Sequence, residues 1–425
     1  MKLRITLWVV LLCLVAAGAL LFWPRDHEAG TAPASASTAQ SNPMSRGRAL
    51  VTLGNCEGCH TARGGPPFAG GRSIATGFGT FFSPNITQYG IGSWSAEDFW
   101  NALHKGYAPG GKLLYPTFPY TNFTKISRAD ADAMFAYLKT VPAVPVANRE
   151  HRLKFPYNQR WLLAVWRGLF FTRGVYEADV QHDAQWNRGA YLVQGVAHCS
   201  ACHEARNALG AVRSKDNPSG GLVLSWYAPS LSVATEAGVQ AWSETDIVQL
   251  LRAGVVNGEH QGYTFGPMAE VVFESLQHTD VADLQAIAVY LKSLPPAEAR
   301  PVASRVGLAP SAIPIIMNTG QQVYKDNCAR CHGDNGEAGT HAPALKNSRM
   351  VNMNPAIDGI RMVLYGGYAP GTELNPRPFG MPPFYPTLSA EQIASVLTYI
   401  RGSWGNASPP ILPDDVEAGM TGPLW

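Results

Sequence analysis

The chain has 425 residues, which is enough for roughly two to four domains. Hydrophobic residues make up 46% of it and charged residues 15%, a globular composition that is slightly poor in charge. The net charge is +2 and no run of five or six basic residues occurs, so the charge pattern excludes a polyanion-binding protein.

The first predicted element is an apolar run from Ile5 to Trp23, preceded by Lys2 and Arg4. At about 1.5 Å per residue the run is roughly 28 Å long, close to the hydrocarbon thickness of a bilayer. We favour a retained membrane anchor over residues 1–26 with its N-terminus in the cytoplasm, and a cleaved secretory signal is the alternative. Both interpretations export the rest of the chain. Residues 27–43 are mostly Ala, Ser, Thr, Gly and Pro and predict a flexible linker.

The sequence Cys-x-x-Cys-His then occurs three times and uses six of the seven cysteines. This spacing is typical of covalent c-type haem attachment, because two thiols two residues apart can form thioethers to the two vinyl groups of one porphyrin. The histidine that follows lies under the iron as its proximal ligand. The sequence therefore predicts three covalently bound haem c groups. The predicted attachment residues are Cys56, Cys59 and His60, then Cys199, Cys202 and His203, then Cys328, Cys331 and His332.

Two other functions of a Cys-x-x-Cys pair compete with haem attachment. A thioredoxin-like redox pair does not come three to a chain with a fixed histidine after each pair. Two pairs together could form a four-thiolate zinc site, but the third pair would be left over.

Each motif belongs to a predicted repeat of three helices. The first helix of each repeat carries the motif and begins near Gly47, Gly189 or Gly320. The middle helices are predicted at Ser95 to Gly106, Ser243 to Gly254 and Asp358 to Gly366, with Ser95 and Ser243 as N-caps. Apolar spacings of three and four residues, with a basic residue in the last turn, predict closing helices. They cover Ala129 to Lys139, Val281 to Lys292 and Ala390 to Arg401.

Between the first two repeats lies a segment from Leu153 to Phe171 that is rich in Trp and Phe and carries three basic groups. It is too short and too charged to span a bilayer. One interpretation is an interdomain packing helix. The other is a surface that meets the membrane interface or a partner subunit, because Trp and Arg are common at interfaces.

A haem that only carries electrons needs a sixth iron ligand, and a Met sulfur there raises its potential relative to a second His. Met268 is the single candidate in the second repeat and is expected in a loop before the closing helix. In the third repeat we choose Met381, which lies 18 residues before Tyr399, whereas Met268 lies 22 residues before Tyr290. Three other methionines come too early and are interpreted as packing residues: Met350, Met353 and Met362.

The first repeat departs from this pattern. Phe118, 19 residues before Tyr137, stands where a methionine is expected, and phenylalanine cannot ligate iron. His104, Met134 and His151 are possible substitutes. A five-coordinate iron and a low-potential bis-His site both remain open.

With these motifs in hand, residues 44–403 resemble the tri-haem cytochrome c subunits of bacterial membrane-bound dehydrogenases. Those subunits serve quinoprotein alcohol dehydrogenases, flavoprotein gluconate or fructose dehydrogenases, and molybdenum-containing aldehyde or nicotinate-type dehydrogenases. Phe118-Pro119-Tyr120 in place of Met-Pro-Tyr is more similar to the molybdenum partners. Besides the haem motifs, the segments that carry the resemblance are Ser83 to Thr87, Leu114 to Pro116, Phe155 to Asn158, Trp161 to Phe171, Gly266 to Glu270 and Met381 to Phe384.

The resemblance implies a mainly α fold of three tandem cytochrome c domains behind an N-terminal transmembrane or signal helix. The expected boundaries are 1–26 for the anchor or signal, 27–43 for a linker, 44–145 for domain 1, 146–186 for the aromatic connecting segment, 187–297 for domain 2, 298–311 for a linker, 312–403 for domain 3 and 404–425 for a tail.

The resemblance also implies an electron-transfer subunit without substrate chemistry of its own. Electrons would pass from a catalytic subunit to ubiquinone or a terminal oxidase on the periplasmic side of the bacterial inner membrane. The catalytic subunit is expected to be of the molybdenum type with an iron–sulfur subunit, or else to use PQQ or flavin. Two alternatives are a free-standing respiratory multihaem cytochrome c and a peroxidase-like enzyme that uses an open first haem.

Overall fold

The computed structural model describes residues 42–212, 220–257, 261–299, 310–338 and 342–421. The predicted anchor or signal at 1–26 and most of the linkers at 27–43 and 298–311 lie outside these residues. Across the described ranges, no helix is both long enough and apolar enough to cross a membrane. The chain divides into two compact units, Met1–Ala201 and Cys202–Trp425. The prediction of a mainly α fold is confirmed.

The first unit consists of short helices and three small pairings of strands. Its helices are α1 Pro43–Leu53, α2 Cys56–His60, α3 Gln88–Ile91, α4 Ala96–Trp100, α5 Tyr120–Phe123, α6 Arg128–Leu138, α7 Leu162–Phe170 and α8 Ala184–Tyr191, with a 3-10 turn at Pro109–Gly111 and π-helical turns at Asn101–Lys105 and Leu192–Val196. Its strands are β1 Ser73–Thr76, β2 Gly79–Phe82, β3 Tyr107–Ala108, β4 Lys112–Leu113 and β5 Arg152–Leu153; β1, β2 and β5 form one antiparallel sheet, and β3 pairs with β4.

The middle helix of the first repeat begins at Ser95, as the sequence predicts. The Ser95 hydroxyl accepts the Asp98 N–H at 3.1 Å, and the Asp98 carboxylate accepts the Ser95 N–H at 2.9 Å, so two otherwise unpaired donors are satisfied. The helix runs through α4 and the first π-helical turn and ends at Gly106, whose φ is 65°. A side chain at Gly106 would also lie 2.9 Å from the ring of Tyr120, so glycine is required there for two reasons.

The first and closing helices of this repeat cross at Gly47. A Cβ at this position would collide with the backbone carbonyl of Ala133, so the absence of a side chain lets α1 and α6 approach each other. Around the crossing, Leu50 and Val51 of α1 and Met134 and Leu138 of α6 are almost fully buried and form the core.

A buried polar cluster ties α8 to α1 and α6. The Asp130 carboxylate is fully buried, forms an ion pair with Arg46 and accepts the hydroxyl hydrogen of Tyr191. The Ser127 N–H donates to the Tyr191 hydroxyl at 3.2 Å. Burial, together with the Asp130 charge, raises the pKa of Tyr191, so its hydroxyl remains a neutral donor.

The second unit contains longer helices and three two-stranded hairpins. Its helices are α10 Glu244–Ala253, α11 Gly266–Glu274, α12 Val281–Ser293, α13 Ile313–Asn327, α14 Ala329–His332, α15 Arg349–Asn352, α16 Ile357–Tyr365, α17 Ala390–Arg401 and α18 Pro413–Met420, with 3-10 turns at Leu276–His278 and Pro310–Ala312; α9, Ser200–His203, includes the boundary between the two units. Its hairpins pair β6 Gly221–Val223 with β7 Trp226–Ala228, β8 Val255–Val256 with β9 Gly262–Tyr263, and β10 Gly367–Tyr368 with β11 Gly380–Met381.

The predicted repeats are visible in this unit too. The Ser243 hydroxyl caps α10 by accepting the Asp246 N–H at 3.0 Å, and α10 ends at Gly254 with a φ of 72°. In the third repeat, α13 and α17 cross at Gly320, where a Cβ would collide with the carbonyl of Ser395. This is the same crossing that Gly47 makes in the first unit.

Helix α16 packs directly on β7. The Asp358 carboxylate accepts the Tyr227 N–H at 2.8 Å, and the Arg361 guanidinium lies 5.2 Å from the centre of the Trp226 ring. Burial raises the pKa of Asp358 to about 7. The predicted second and third repeats therefore meet at a buried polar contact.

Candidate haem sites

The attachment motifs place their reactive side chains on short helical turns. In α2, Cys56, Cys59 and His60 are related by spacings of three and four residues, which put them on one helix face. The third motif has the same form, because Cys328 directly precedes α14. In the second motif α9 covers Ser200–His203. Two thiols and an imidazole that share a face suit a single planar cofactor.

Each motif histidine makes the same hydrogen bond. Its Nδ1 atom lies close to the backbone carbonyl oxygen of a proline further along the chain. The three distances are 2.7 Å from His60 to Pro84, 2.7 Å from His203 to Pro229 and 2.9 Å from His332 to Pro343. A carbonyl oxygen can only accept, so Nδ1 carries the proton and Nε2 keeps its lone pair.

Burial lowers the pKa of all three histidines, which favours neutral imidazole. Neutral imidazole with an available Nε2 lone pair is the form that binds iron. The sequence alone does not reveal the three prolines as partners of the histidines. They follow their histidines by 24, 26 and 11 residues, so no fixed spacing reveals them. Their shared signal is a proline between small or polar residues, as in Ser83-Pro84-Asn85.

The segment that presents Pro84 is held by the buried side chain of Asn85. The Asn85 amide donates to the carbonyls of Val144 and Val146, both at 2.9 Å, and its oxygen accepts the Thr87 N–H at 2.9 Å. This network fixes the proline carbonyl that orients His60.

Cys56 and Cys328 have little tendency to ionise. Burial raises the pKa of Cys56 to about 12 and that of Cys328 to about 11, whereas redox-active cysteines have a lowered pKa. In the described part of the chain, the six motif cysteines are thiols and not disulfides. These residues also contain no group of three or more His, Cys, Asp or Glu placed to hold a metal ion.

Met268 lies in the first turn of α11. It precedes the closing helix α12, as expected, but it is helical, so the expectation of a loop at this residue is wrong. Pro267 just before it is compatible with a helix start, because proline needs no N–H partner there. Pro267 is therefore the sequence signal for a helix that begins here.

Phe118 in the first repeat and Met268 in the second lie at equivalent positions when counted from a shared backbone hydrogen bond. In both repeats the carbonyl oxygen of the glycine that ends the middle helix accepts a hydrogen bond from the N–H of the residue that follows the hairpin. Leu114 donates to Gly106 at 2.9 Å, and Thr264 donates to Gly254 at 2.8 Å. Phe118 and Met268 each follow that donor by four residues.

Met381 has a different position. It lies within β11 and pairs with Gly367, the residue after the glycine that ends α16. In the first repeat, the residue after the glycine that ends the middle helix pairs with Leu113. Met381 therefore corresponds in register to Leu113, which lies five residues before Phe118. Met381 packs against the core of Ile360, Leu364 and Ile393.

The possible substitutes for a methionine in the first repeat are in different chemical states. The Phe82 N–H donates to His151 Nδ1 at 3.2 Å, and burial lowers the pKa of this histidine, so its neutral ring carries the proton on Nε2. In that tautomer neither ring nitrogen has a free lone pair with which to bind iron. His104 instead donates from Nδ1 to the Thr124 carbonyl at 2.9 Å, and its ring stacks on Trp100. Met134 is buried in α6.

Two buried donors in the second repeat fit the acidic side groups of a haem. Trp226 Nε1 and Arg252 Nε are buried and find no hydrogen-bond partner within the described residues. Haem carries two propionate carboxylates, which are acceptors. The thiols, the oriented imidazoles and these donors together match the requirements of haem c.

The comparison with known proteins agrees with this chemistry. The cytochrome c family model matches residues 44–142 and 317–404. The chain is 35% identical over 397 residues to the cytochrome c subunit of alcohol dehydrogenase (quinone) from Gluconobacter oxydans, covering 88% of this chain and 81% of that protein. It is 37% identical over 387 residues to the gluconate 2-dehydrogenase cytochrome c subunit of Pantoea cypripedii, covering 86% of each.

A third relative is longer. One of the nicotinate dehydrogenase subunits of Pseudomonas putida is 38% identical over 395 residues, a match that covers 91% of this chain and 32% of that protein. The chain thus spans about a third of this relative's length. From the haem chemistry and these matches together, it follows that the chain belongs to the family of cytochrome c subunits of bacterial dehydrogenases, which carry covalently bound haem c and transfer electrons.

Proposed function

We propose that this chain holds three haem c groups and serves as the electron relay of a membrane-bound dehydrogenase. Its attachment cysteines are Cys56 and Cys59, Cys199 and Cys202, and Cys328 and Cys331. His60, His203 and His332 are the proximal ligands, and Met268 and Met381 are distal ligands. Bound haem supplies one-electron exchange between ferrous and ferric iron, and the chain's residues fix the ligands and exclude water.

The proposed donor is a catalytic dehydrogenase subunit, and the proposed acceptor is ubiquinone or a terminal oxidase. A molybdenum-type catalytic subunit with an iron–sulfur subunit is preferred over a PQQ or flavin subunit. Phe118-Pro119-Tyr120 and the similarity to the nicotinate dehydrogenase of Pseudomonas putida support this preference. The proposed location is the periplasmic side of the bacterial inner membrane, because residues 1–26 have the pattern of an anchor or export signal.

One observation carries the proposal of three haems: the hydrogen bond from histidine Nδ1 to a proline carbonyl occurs at all three motifs. The three prolines lie at unequal distances along the chain, so the bond does not come from local sequence repetition. It recurs because each motif has the same need for an oriented neutral imidazole.

The test is a haem count on the complex purified from native membranes. The pyridine haemochrome assay should give three haem c per chain, and Cys199→Ala with Cys202→Ala should give two and destabilise the middle domain. A count of three in this double variant would contradict the assignment of the second motif. Metal and cofactor analysis of the subunits that co-purify should find molybdenum; PQQ or flavin instead would overturn the preferred donor. Purification without any dehydrogenase would favour the free-standing cytochrome.

A second candidate function follows from Phe118. This residue corresponds in register to Met268 and cannot ligate iron. The second candidate function requires that the first haem is five-coordinate, with an open side for peroxide, and not a bis-His site. A high-spin ferric signal from the first haem, together with peroxide turnover by the isolated protein, would support a peroxidase-like activity.

A further inference from the structure

Helix α7 presents a stripe of apolar side chains to solvent. We call Trp161, Val165 and Leu169 the outer stripe; Trp161 is the N-cap residue that directly precedes α7. Their exposed fractions are 66%, 39% and 54%. Successive members are four residues apart, so each is rotated by about 40° around the helix axis and all three lie within about 80°. Large apolar groups that share one exposed helix face indicate a binding surface.

The opposite face of the helix is well packed. Leu163 and Arg167 are buried, and the Arg167 guanidinium lies over the rings of Tyr107, Tyr120 and Phe171 at 4.5, 5.3 and 5.0 Å. These contacts hold α7 against the first unit by its inner face. The outer stripe is therefore a fixed feature of the folded unit.

Another exposed aromatic group and an unusual charge accompany the stripe. Phe155 is 80% exposed. Residues 151–174 contain four arginines, one lysine and no aspartate or glutamate, whereas the whole chain has a net charge of +2. The rest of the chain is therefore net acidic, and the apolar surface lies in its most basic segment. Arg152 and Lys154 are exposed beside the aromatic residues.

We propose that the outer stripe and Phe155 lie in the interface of an anionic phospholipid bilayer. This contact is separate from residues 1–26 and rests on the proposed membrane location. Trp and Phe beside a basic flank match an interfacial helix, and the positive charge of this segment is complementary to anionic lipid headgroups. The nine residues of α7 extend about 14 Å, too short to span a bilayer but long enough to lie in its plane.

The test places nitroxide labels on the full-length protein reconstituted in vesicles. Trp161→Cys, Val165→Cys and Leu169→Cys are made in a Cys13→Ser background, with Val180→Cys as the control because Val180 is 90% exposed and lies outside the basic segment. Collision with oxygen reports an apolar surrounding, and collision with a water-soluble nickel chelate reports an aqueous one.

In phosphatidylglycerol vesicles the three stripe labels should gain collisions with oxygen and lose collisions with nickel relative to detergent, while the Val180 label should keep its nickel collisions. The change should be smaller in phosphatidylcholine vesicles and in high salt, because the basic flank contributes. Stripe labels that remain as accessible to nickel as the control would overturn the proposal. So would protection from both reagents that requires the catalytic subunit, since that result would identify a protein contact.

The haem count of the same labelled proteins keeps the two proposals apart. A count other than three contradicts the proposed function whatever the labels report. Three haems with water-exposed stripe labels contradict only the membrane contact.

Discussion

His203 Nδ1 lies 2.7 Å from the carbonyl oxygen of Pro229, and this bond leaves Nε2 as the ring's only iron ligand. The opposite side of that haem is assigned to Met268. Because a thioether stabilises ferrous iron, Met268→Ala should lower the potential of one haem and leave that haem covalently attached. Met381→Ala should lower the potential of another. Potentiometric titration with optical detection measures both effects.

Met353→Ala is the matched control, because Met353 is buried in the third repeat but is assigned only to packing. It should reduce stability without moving a potential. If the titrations of both the Met268 and Met381 variants are unchanged, the distal assignments are wrong.

Phe118→Met should supply a methionine ligand to the first haem. Phe118 and Met268 follow equivalent hydrogen bonds by four residues, so a methionine sulfur at residue 118 should reach the position that Met268 has. The expected result is a higher potential for the first haem, because a thioether sulfur becomes an iron ligand, and loss of any high-spin signal that this haem shows in the unchanged protein. Phe118→Leu, which adds no ligand, should leave both properties as they were. A high-spin signal that persists in the methionine variant would show that the two positions are not equivalent.

Asp130→Asn should destabilise the first unit. The substitution removes the charge that balances Arg46 and weakens the bond from Tyr191 in a buried site, at a cost of about 3 kcal/mol in the free energy of unfolding. Denaturant titration of the haem-loaded protein measures this. Asp132→Asn, which removes only an exposed partner of Arg128, should cost less than about 1 kcal/mol. Equal effects of the two substitutions would contradict the role of the buried cluster.

Asp358 should make the second unit less stable as the pH rises. Its folded-state pKa is raised by burial from 3.8 to about 7, so between these values the folded state binds more protons than the unfolded state. The penalty is absent below pH 3.8, grows as the pH rises towards 7, and reaches about 4 kcal/mol above that. Asp358→Asn, which keeps an acceptor for the Tyr227 N–H, should flatten the pH dependence of unfolding in this window.

The control is Asp334→Asn, which alters an exposed aspartate of the same unit. The free energy of unfolding of this variant should depend on pH in the same way as that of the unchanged protein between about pH 4 and pH 7. The same slope in the Asp358 variant and in the unchanged protein would mean that another group causes the pH dependence.

Local signals account for the parts of the fold that were predicted well. The caps at Ser95 and Ser243, the glycines at 106 and 254 and the three-residue and four-residue apolar spacings depend on neighbours within one or two turns. Pro229 was missed as a partner because the contact with His203 forms only when residues 26 positions apart meet. The cluster of Asp130 and Tyr191 was missed for the same reason, since 61 residues separate them.

The bond between Asp130 and Tyr191 also bears on the order in which the chain can mature. Tyr191 ends α8, and only the π-helical turn and two further residues separate that helix from Cys199. The surface that receives Tyr191 belongs to α6 and therefore comes earlier in the chain. In a polypeptide that is exported from its N-terminus, the first repeat can fold before the second attachment motif is exported, and its folded surface is then ready to bind Tyr191. Damage to the first repeat would then reduce haem loading at the second motif, although that motif itself is intact.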